Sequence, residues 1–159
     1  MSTFGTPPSV IEADRYTVRR TIDIAAPVES VWSAVTNPAH ISAWFGTTVL
    51  DGVGVGAVGT MSWPDHGSIP LRVEAFDPPR LVSYRWSNDD ARGSFPDQVD
   101  DEVSTVFTFT LEPTDNGTRL TVVETGFDHT SDPAANMESH RDGWNIELDK
   151  LIALLEGAA

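Results

Sequence analysis

The sequence predicts an α+β domain in which a curved antiparallel sheet wraps one long C-terminal helix. Three observations lead there. The 159-residue chain has the length of a single domain and can bury a full core without metal or disulfide staples. Its middle alternates apolar and polar residues in short runs broken by Gly, Pro, Asn and Asp, which is strand-and-turn patterning. Its end carries a long helical stripe, with Met137, Trp144, Leu148, Leu151 and Leu155 at steps of seven, four, three and four. Helices segregated from an antiparallel sheet in this way make an α+β fold.

Residues 1–14 contain Gly5, Pro7, Pro8 and Ser9 with little periodicity and read as a flexible arm ahead of one domain over 15–157. Tyr16, Val18, Arg20, Ile22 and Ile24 alternate, so 15–25 reads as a strand. Ala26-Pro27 ends it, and proline suits a first helical turn, where its missing N–H is not needed. Val28, Val31, Trp32 and Val35 then follow at helical spacing up to Asn37-Pro38. A second short helix over 38–45 places Ile41, Trp44 and Phe45 on one side, closed by Gly46. After an extended piece at 47–50, the glycines at 52, 54, 56 and 59 read as a turn rather than a phosphate cradle. Strands over 57–63 and 68–76 flank Pro64-Asp65-His66-Gly67, and Asp77-Pro78-Pro79 leads into a strand over 80–87. The polar, acidic stretch 88–101 reads as a loop or flap. Strands over 102–112 and 118–127 join through a hairpin at Pro113-Thr114-Asp115-Asn116-Gly117. The last helix spans 133–156, about 36 Å at 1.5 Å per residue. The sheet so counted has about six to seven strands.

Composition narrows the partners. With 24 acidic and 10 basic residues the formal net charge is −14, which disfavours nucleic acid and anionic membrane surfaces. The chain has no cysteine, which excludes a disulfide scaffold, a thiolate metal site, an iron–sulfur cluster and a cysteine nucleophile. The first residues carry neither the basic nor the apolar segment of a signal peptide, and no apolar run approaches the ~20 residues of a membrane helix. A cytoplasmic protein is the expectation. His40, His66, His129 and His140 include no i, i+4 ligand pair, so no metal or other cofactor is expected. No Gly-x-Ser-x-Gly elbow is present. Asp97, Asp100, Asp101 and Glu102 lack calcium-loop spacing and read as a solvated loop, and His66 reads as a solvated turn residue. Arg19-Arg20 reads as ordinary strand charge.

Strand parity points to an aromatic interior. Leu120 and Val122 mark the inward face of the last strand and put Glu124 on it. That carboxylate either serves a pocket or reaches water or a neighbouring partner; the second reading is favoured, because lone ionised carboxylates are seldom buried. Phe107 belongs to the inward face of the preceding strand, and Tyr84 and Trp86 to that of the middle strand. With Trp44, Phe45, Trp63 and Trp144 these rings crowd one concave space, as the walls of a ligand cavity do. His140 precedes Trp144 by one helical turn. It reads as a helix-surface histidine, with the alternative that it shares the inward stripe and pairs with Glu124. The expected site is one continuous cavity lined by these nine residues, with core filling as the alternative for the rings.

Several motifs, in this order and spacing, resemble a known family. They are Ile24-Ala25-Ala26-Pro27-Val28-Glu29-Ser30-Val31-Trp32, Asn37-Pro38, Trp44-Phe45, Phe76-Asp77-Pro78-Pro79-Arg80-Leu81 and Tyr84-Arg85-Trp86. Gly117-Thr118-Arg119-Leu120-Thr121, Gly143-Trp144 and Leu148 complete the set. From about Tyr16 to Glu156 the chain resembles the START-like, or birch-pollen-allergen-like (SRPBCC), helix-grip superfamily, and within it the activator of heat shock protein 90 ATPase homologue (AHSA-type) family. The resemblance implies a helix-grip fold, which hosts binding proteins, cyclases, hydroxylase domains and co-chaperone domains. The leading functional expectation is a non-enzymatic protein that binds a small hydrophobic ligand such as a lipid, polyketide or aromatic compound. A co-chaperone-like module is the first alternative, although that activity in eukaryotic relatives also uses a separate N-terminal domain, which this short chain lacks. A cyclase- or hydratase-type enzyme is the second, with Glu124, His140 and Tyr84 as its candidate acid–base groups.

Overall fold

A computed structural model describes residues 7–157. In chain order its elements are β1 (Val10–Glu12), β2 (Thr17–Ile24), α1 (Val28–Thr36), α2 (Pro38–Ile41), β3 (Thr47–Asp51), β4 (Val58–Trp63), β5 (Gly67–Asp77), β6 (Leu81–Trp86), β7 (Thr105–Thr114), β8 (Gly117–Thr125) and α3 (Pro133–Gly157). The eight strands form one sheet in the order β1-β2-β8-β7-β6-β5-β4-β3, and every neighbouring pair is antiparallel. The sheet curves around α3, with a register shift between Val73 and Ala75 on β5; a bulge of this kind bends and twists a strand. The fold is the expected α+β helix grip.

Alternation decides which side of each strand is buried. Val18, Ile22 and Ile24 of β2, Phe107, Phe109 and Leu111 of β7, and Leu120 and Val122 of β8 all lie in the core. They meet Met137, Trp144, Leu148 and Leu151 of α3, so the helical stripe is the inward face of that helix. Arg19 and Arg20 separate by the same rule. Arg19 points outward beside Glu12. Arg20 points inward, is buried, and bonds the backbone oxygens of Pro7, Trp144 and Asn145 and the carboxylate of Asp149. Rather than an ordinary strand charge, it is a tie between β2 and α3.

Three expectations shift locally. The arm expected over 1–14 begins outside the described residues, but from Pro7 the chain is docked. Ser9 bonds Asn145 Oδ1 through its amide and hydroxyl at 2.7 and 2.9 Å, and β1 supplies an eighth strand by pairing with β2. The second helix ends at Ile41 instead of Phe45, because Ser42 Oγ bonds back to the Pro38 carbonyl and accepts from the Thr48 amide. The stretch after β6 is tethered at its start. Buried Asp89 accepts from the amide and hydroxyl of Ser131 and from Asn136 Nδ2, which fixes the segment to the N-terminal end of α3. Farther along it, Asp101 pairs with Arg72 and Arg85, so that part of the acidic run is an ion-pair network on the outer face.

Candidate functional site

The space between sheet and helix is filled where the sequence leads one to expect a long cavity. Ring centroids lie 4.6 Å apart for Trp86 and Phe107, 5.2 Å for Tyr84 and Phe107, and 5.3 Å for Phe107 and Trp144. Trp44 stacks on Phe45 at 4.9 Å. Trp44 Nε1 donates to the Ala34 carbonyl and the Tyr84 hydroxyl to the Val35 carbonyl, so both rings are pinned under α1. Trp44, Tyr84 and Phe107 therefore pack as core.

A cleft of about 430 Å³ opens at one end of this ring cluster, between the β4–β5 hairpin, the segment after β6, and α3. Five of the nine expected residues line it: Phe45, Trp63, Trp86, His140 and Trp144. Trp44, Tyr84, Phe107 and Glu124 lie behind that wall. On α3, Ser139, His140, Gly143, Trp144 and Glu147 share one face because they fall at steps of three and four. Gly143 is the exception to good helix chemistry, since a mid-helix glycine costs about 1 kcal/mol relative to alanine. A Cβ there would meet nothing within 4 Å; it would project into the cleft. Gly46 acts from the opposite side, where a Cβ would stand 2.9 Å from the Trp63 ring. The bare backbone lets that indole lie against it and form the cleft wall.

Beneath the cleft floor, Glu124 is fully buried and completely hydrogen-bonded. Its Oε2 accepts from Trp86 Nε1 at 2.8 Å and from the Thr105 hydroxyl. Its Oε1 accepts from Trp144 Nε1 at 2.9 Å, and His140 Nδ1 lies 2.9 Å from both oxygens. Register explains the convergence. Trp86 faces Thr105 across β6–β7, and Glu124 lies opposite Phe107 on β8. The favoured reading of a carboxylate with a neighbouring partner holds in its paired form. His140 is not at the helix surface: its side chain is 3% exposed, and its Nε2 donates to the Asn88 carbonyl at 3.1 Å with Asp90 Oδ2 at 3.4 Å.

The electrostatics follow. Burial alone would lower the His140 pKa, but the Glu124 charge and the hydrogen bonds to Asp90 and Glu124 outweigh it and raise it to about 10. Burial alone would raise the Glu124 pKa, but the His140 charge and the surrounding donors hold it below the usual carboxylate value. The pair is therefore an imidazolium–carboxylate ion pair. Asp90 is likewise held low, against the effect of burial, by His140, Ser139 and His66. Burial raises the Tyr84 phenol far above its ordinary value.

Asp90 and His66 enter the site although the sequence reads Asp90 only as part of a loop or flap and His66 as a solvated turn residue. His66 is not simply solvated: it lines the cleft, its Nε2 is 3.0 Å from Asp90 Oδ1, and its ring lies 5.7 Å from Trp63 and 5.3 Å from Phe95. Neither sits on a periodic element, since His66 lies in the turn between β4 and β5 and Asp90 in the segment after β6, so no spacing could have revealed them. No group of three or more His, Cys, Asp or Glu among the described residues is arranged to hold a metal ion. No helix among them is long and apolar enough to cross a membrane.

Comparison with known proteins fits this architecture. The family model described as activator of Hsp90 ATPase homolog 1-like protein matches residues 25–156. No curated protein matches the chain. Among solved structures, protein MLL2253 from Mesorhizobium loti is 29% identical with a TM-score of 0.74, over 90% of this chain and 98% of that one. DynU16, from the dynemicin biosynthetic locus, is 26% identical with a TM-score of 0.69, over 88% of this chain; the match spans 47% of DynU16, about half its length. The Aha1 dimer from Colwellia psychrerythraea shares the fold at 20% identity and a TM-score of 0.69, over 88% of this chain and 96% of that one.

Proposed function

The chain belongs to the activator of Hsp90 ATPase homologue 1-like family, and from that premise we propose that it binds a small, largely apolar molecule in the cleft between the β4–β5 hairpin and α3. The observation that carries this reading is the aromatic cleft itself. Its volume of about 430 Å³ lies in the range of small-molecule sites, ~300–1,000 Å³. Phe45, Trp63, Trp86 and Trp144 wall it, and a glycine on α3 keeps it open. A relative in the dynemicin biosynthetic locus accords with a small-molecule role. Catalysis draws less support, because Glu124 and the Tyr84 hydroxyl, which a cyclase or hydratase would need free, are behind the wall and hydrogen-bonded.

The test is to refill the cleft. Gly143→Leu places a side chain in the open space without meeting a neighbour through its Cβ. It should abolish quenching of tryptophan fluorescence by an environment-sensitive apolar dye that binds the wild type. Thermal stability should hold or rise, since leucine is a better helix former by up to ~1 kcal/mol. Unchanged dye binding in the variant would refute the site. The family match also keeps a co-chaperone reading in view; that reading requires the protein to raise the turnover of a heat shock protein 90 ATPase, and it falls if turnover does not change.

A further inference from the structure

Among the described residues three buried side-chain atoms have no hydrogen-bond partner: Asn88 Oδ1, Asp90 Oδ1 and Glu147 Oε1. All three belong to residues that line the same cleft, and all three are acceptors. Buried polar atoms are otherwise nearly always satisfied, and leaving one unmade costs about 1–3 kcal/mol or more when charged. Asn88 is 7% exposed, so its oxygen has little bulk water to turn to. Two of the three have a basic neighbour: His66 Nε2 lies 3.0 Å from Asp90 Oδ1, and Lys150 Nζ forms an ion pair with Glu147 Oε1 at 2.8 Å. Asn88 Oδ1 has none among the described residues.

The charge around these acceptors is negative. Asp65, Asp90 and Glu147 face the cleft; Lys150 pairs with Glu147 and His140 is shared between Glu124 and Asp90, so carboxylates outnumber cations there. The rest of the wall consists of aromatic rings, whose faces attract cations. A neutral apolar ligand would leave Asn88 Oδ1 unsatisfied and the excess negative charge unmatched, and an anion would add repulsion.

Building on the small-molecule reading above, we infer that the cleft's ligand is an apolar or aromatic molecule carrying a cationic nitrogen, with the ammonium group donating to Asn88 and Asp90 while its apolar body lies on Trp63, Trp86 and Trp144.

Three probes that share a body and differ in head group decide this: 4-phenylbutylamine, 4-phenylbutanol and 4-phenylbutyrate, titrated into the intact protein by calorimetry at pH 8. There the amine is charged, because alkylamines titrate near 10.4 (about the lysine value). The amine should bind at least about tenfold more tightly than the alcohol, the increment of one charge-assisted hydrogen bond, and the carboxylate should bind most weakly. In Asp90→Asn the ratio of amine to alcohol affinity should fall. An amine that binds no more tightly than the alcohol, including the case where neither binds, overturns the cationic ligand. If the apolar dye still enters the cleft in that case, the small-molecule reading stands; if the dye fails as well, both readings fall.

Discussion

Three donors and a protonated imidazole make Glu124 an ionised group in a place where a bare carboxylate would not stay charged. The linkage has a definite sign. His140 has its folded pKa raised from 6.5 to about 10, so the stability it contributes is complete below about 6.5 and is lost as pH rises toward about 10. Glu124 and Asp90 have depressed values, so their contribution is present above the ordinary carboxylate range and is lost as pH falls below it. Glu124→Gln leaves the imidazole buried without its counter-charge, and breaking a buried pair on one side costs about 3–5 kcal/mol. Denaturant midpoints measured from pH 6 to 10 should decline in the wild type and decline less in the variant. Parallel slopes would contradict the ion pair. Parity placed Glu124 inward from the sequence alone, because Leu120 and Val122 define the face. The helical spacing of His140 and Trp144 made the pairing conceivable without deciding it, since which helix positions meet which strand positions depends on how α3 lies in the sheet.

Along each element, position decides whether a ring is structure or surface. Tyr84 lies mid-strand in β6, with its hydroxyl on the Val35 carbonyl and its ring on Phe107. Trp63 ends β4 at the hairpin, half-buried, where the cleft opens. Tyr84→Ala should cost ~3–5 kcal/mol, as deletion of a packed aromatic does. Trp63→Ala should cost distinctly less in a denaturation experiment and yet lose most dye affinity. Equal stability costs, with affinity retained in Trp63→Ala, would mean that the hairpin is not part of the site. Elements with strong periodicity were legible: β2, α1, β7, β8 and α3 lie within a few residues of their expected bounds. Short pieces were not. β1 has three residues and no pattern of its own, and it is a strand because Ser9 and Arg20 hold it against its neighbours. The end of α2 was set by one serine hydroxyl, which no periodicity reports.

At the scale of the molecule, the sheet, the grip and the aromatic interior could be read from residue order, because they follow from burial of an alternating or helical face. The size and place of the opening could not. Whether inward rings fill a space or line one depends on the distance between sheet and helix, and here they fill most of it and leave the end by the hairpin open. Part of that end's polarity, from His66, Asn88 and Asp90, comes from turns between elements. The five tryptophans offer a direct test of this division. Trp63, Trp86 and Trp144 line the cleft, Trp44 donates to the Ala34 carbonyl in the core, and Trp32 packs on Phe76 away from it. In an indole N–H spectrum of the nitrogen-15-labelled protein, titration with a small apolar aromatic probe should move the Trp63, Trp86 and Trp144 resonances saturably and leave Trp32 and Trp44 nearly in place. No movement at saturating probe, or movement of Trp44 as large as that of Trp63, would contradict a cleft at the end of a filled core.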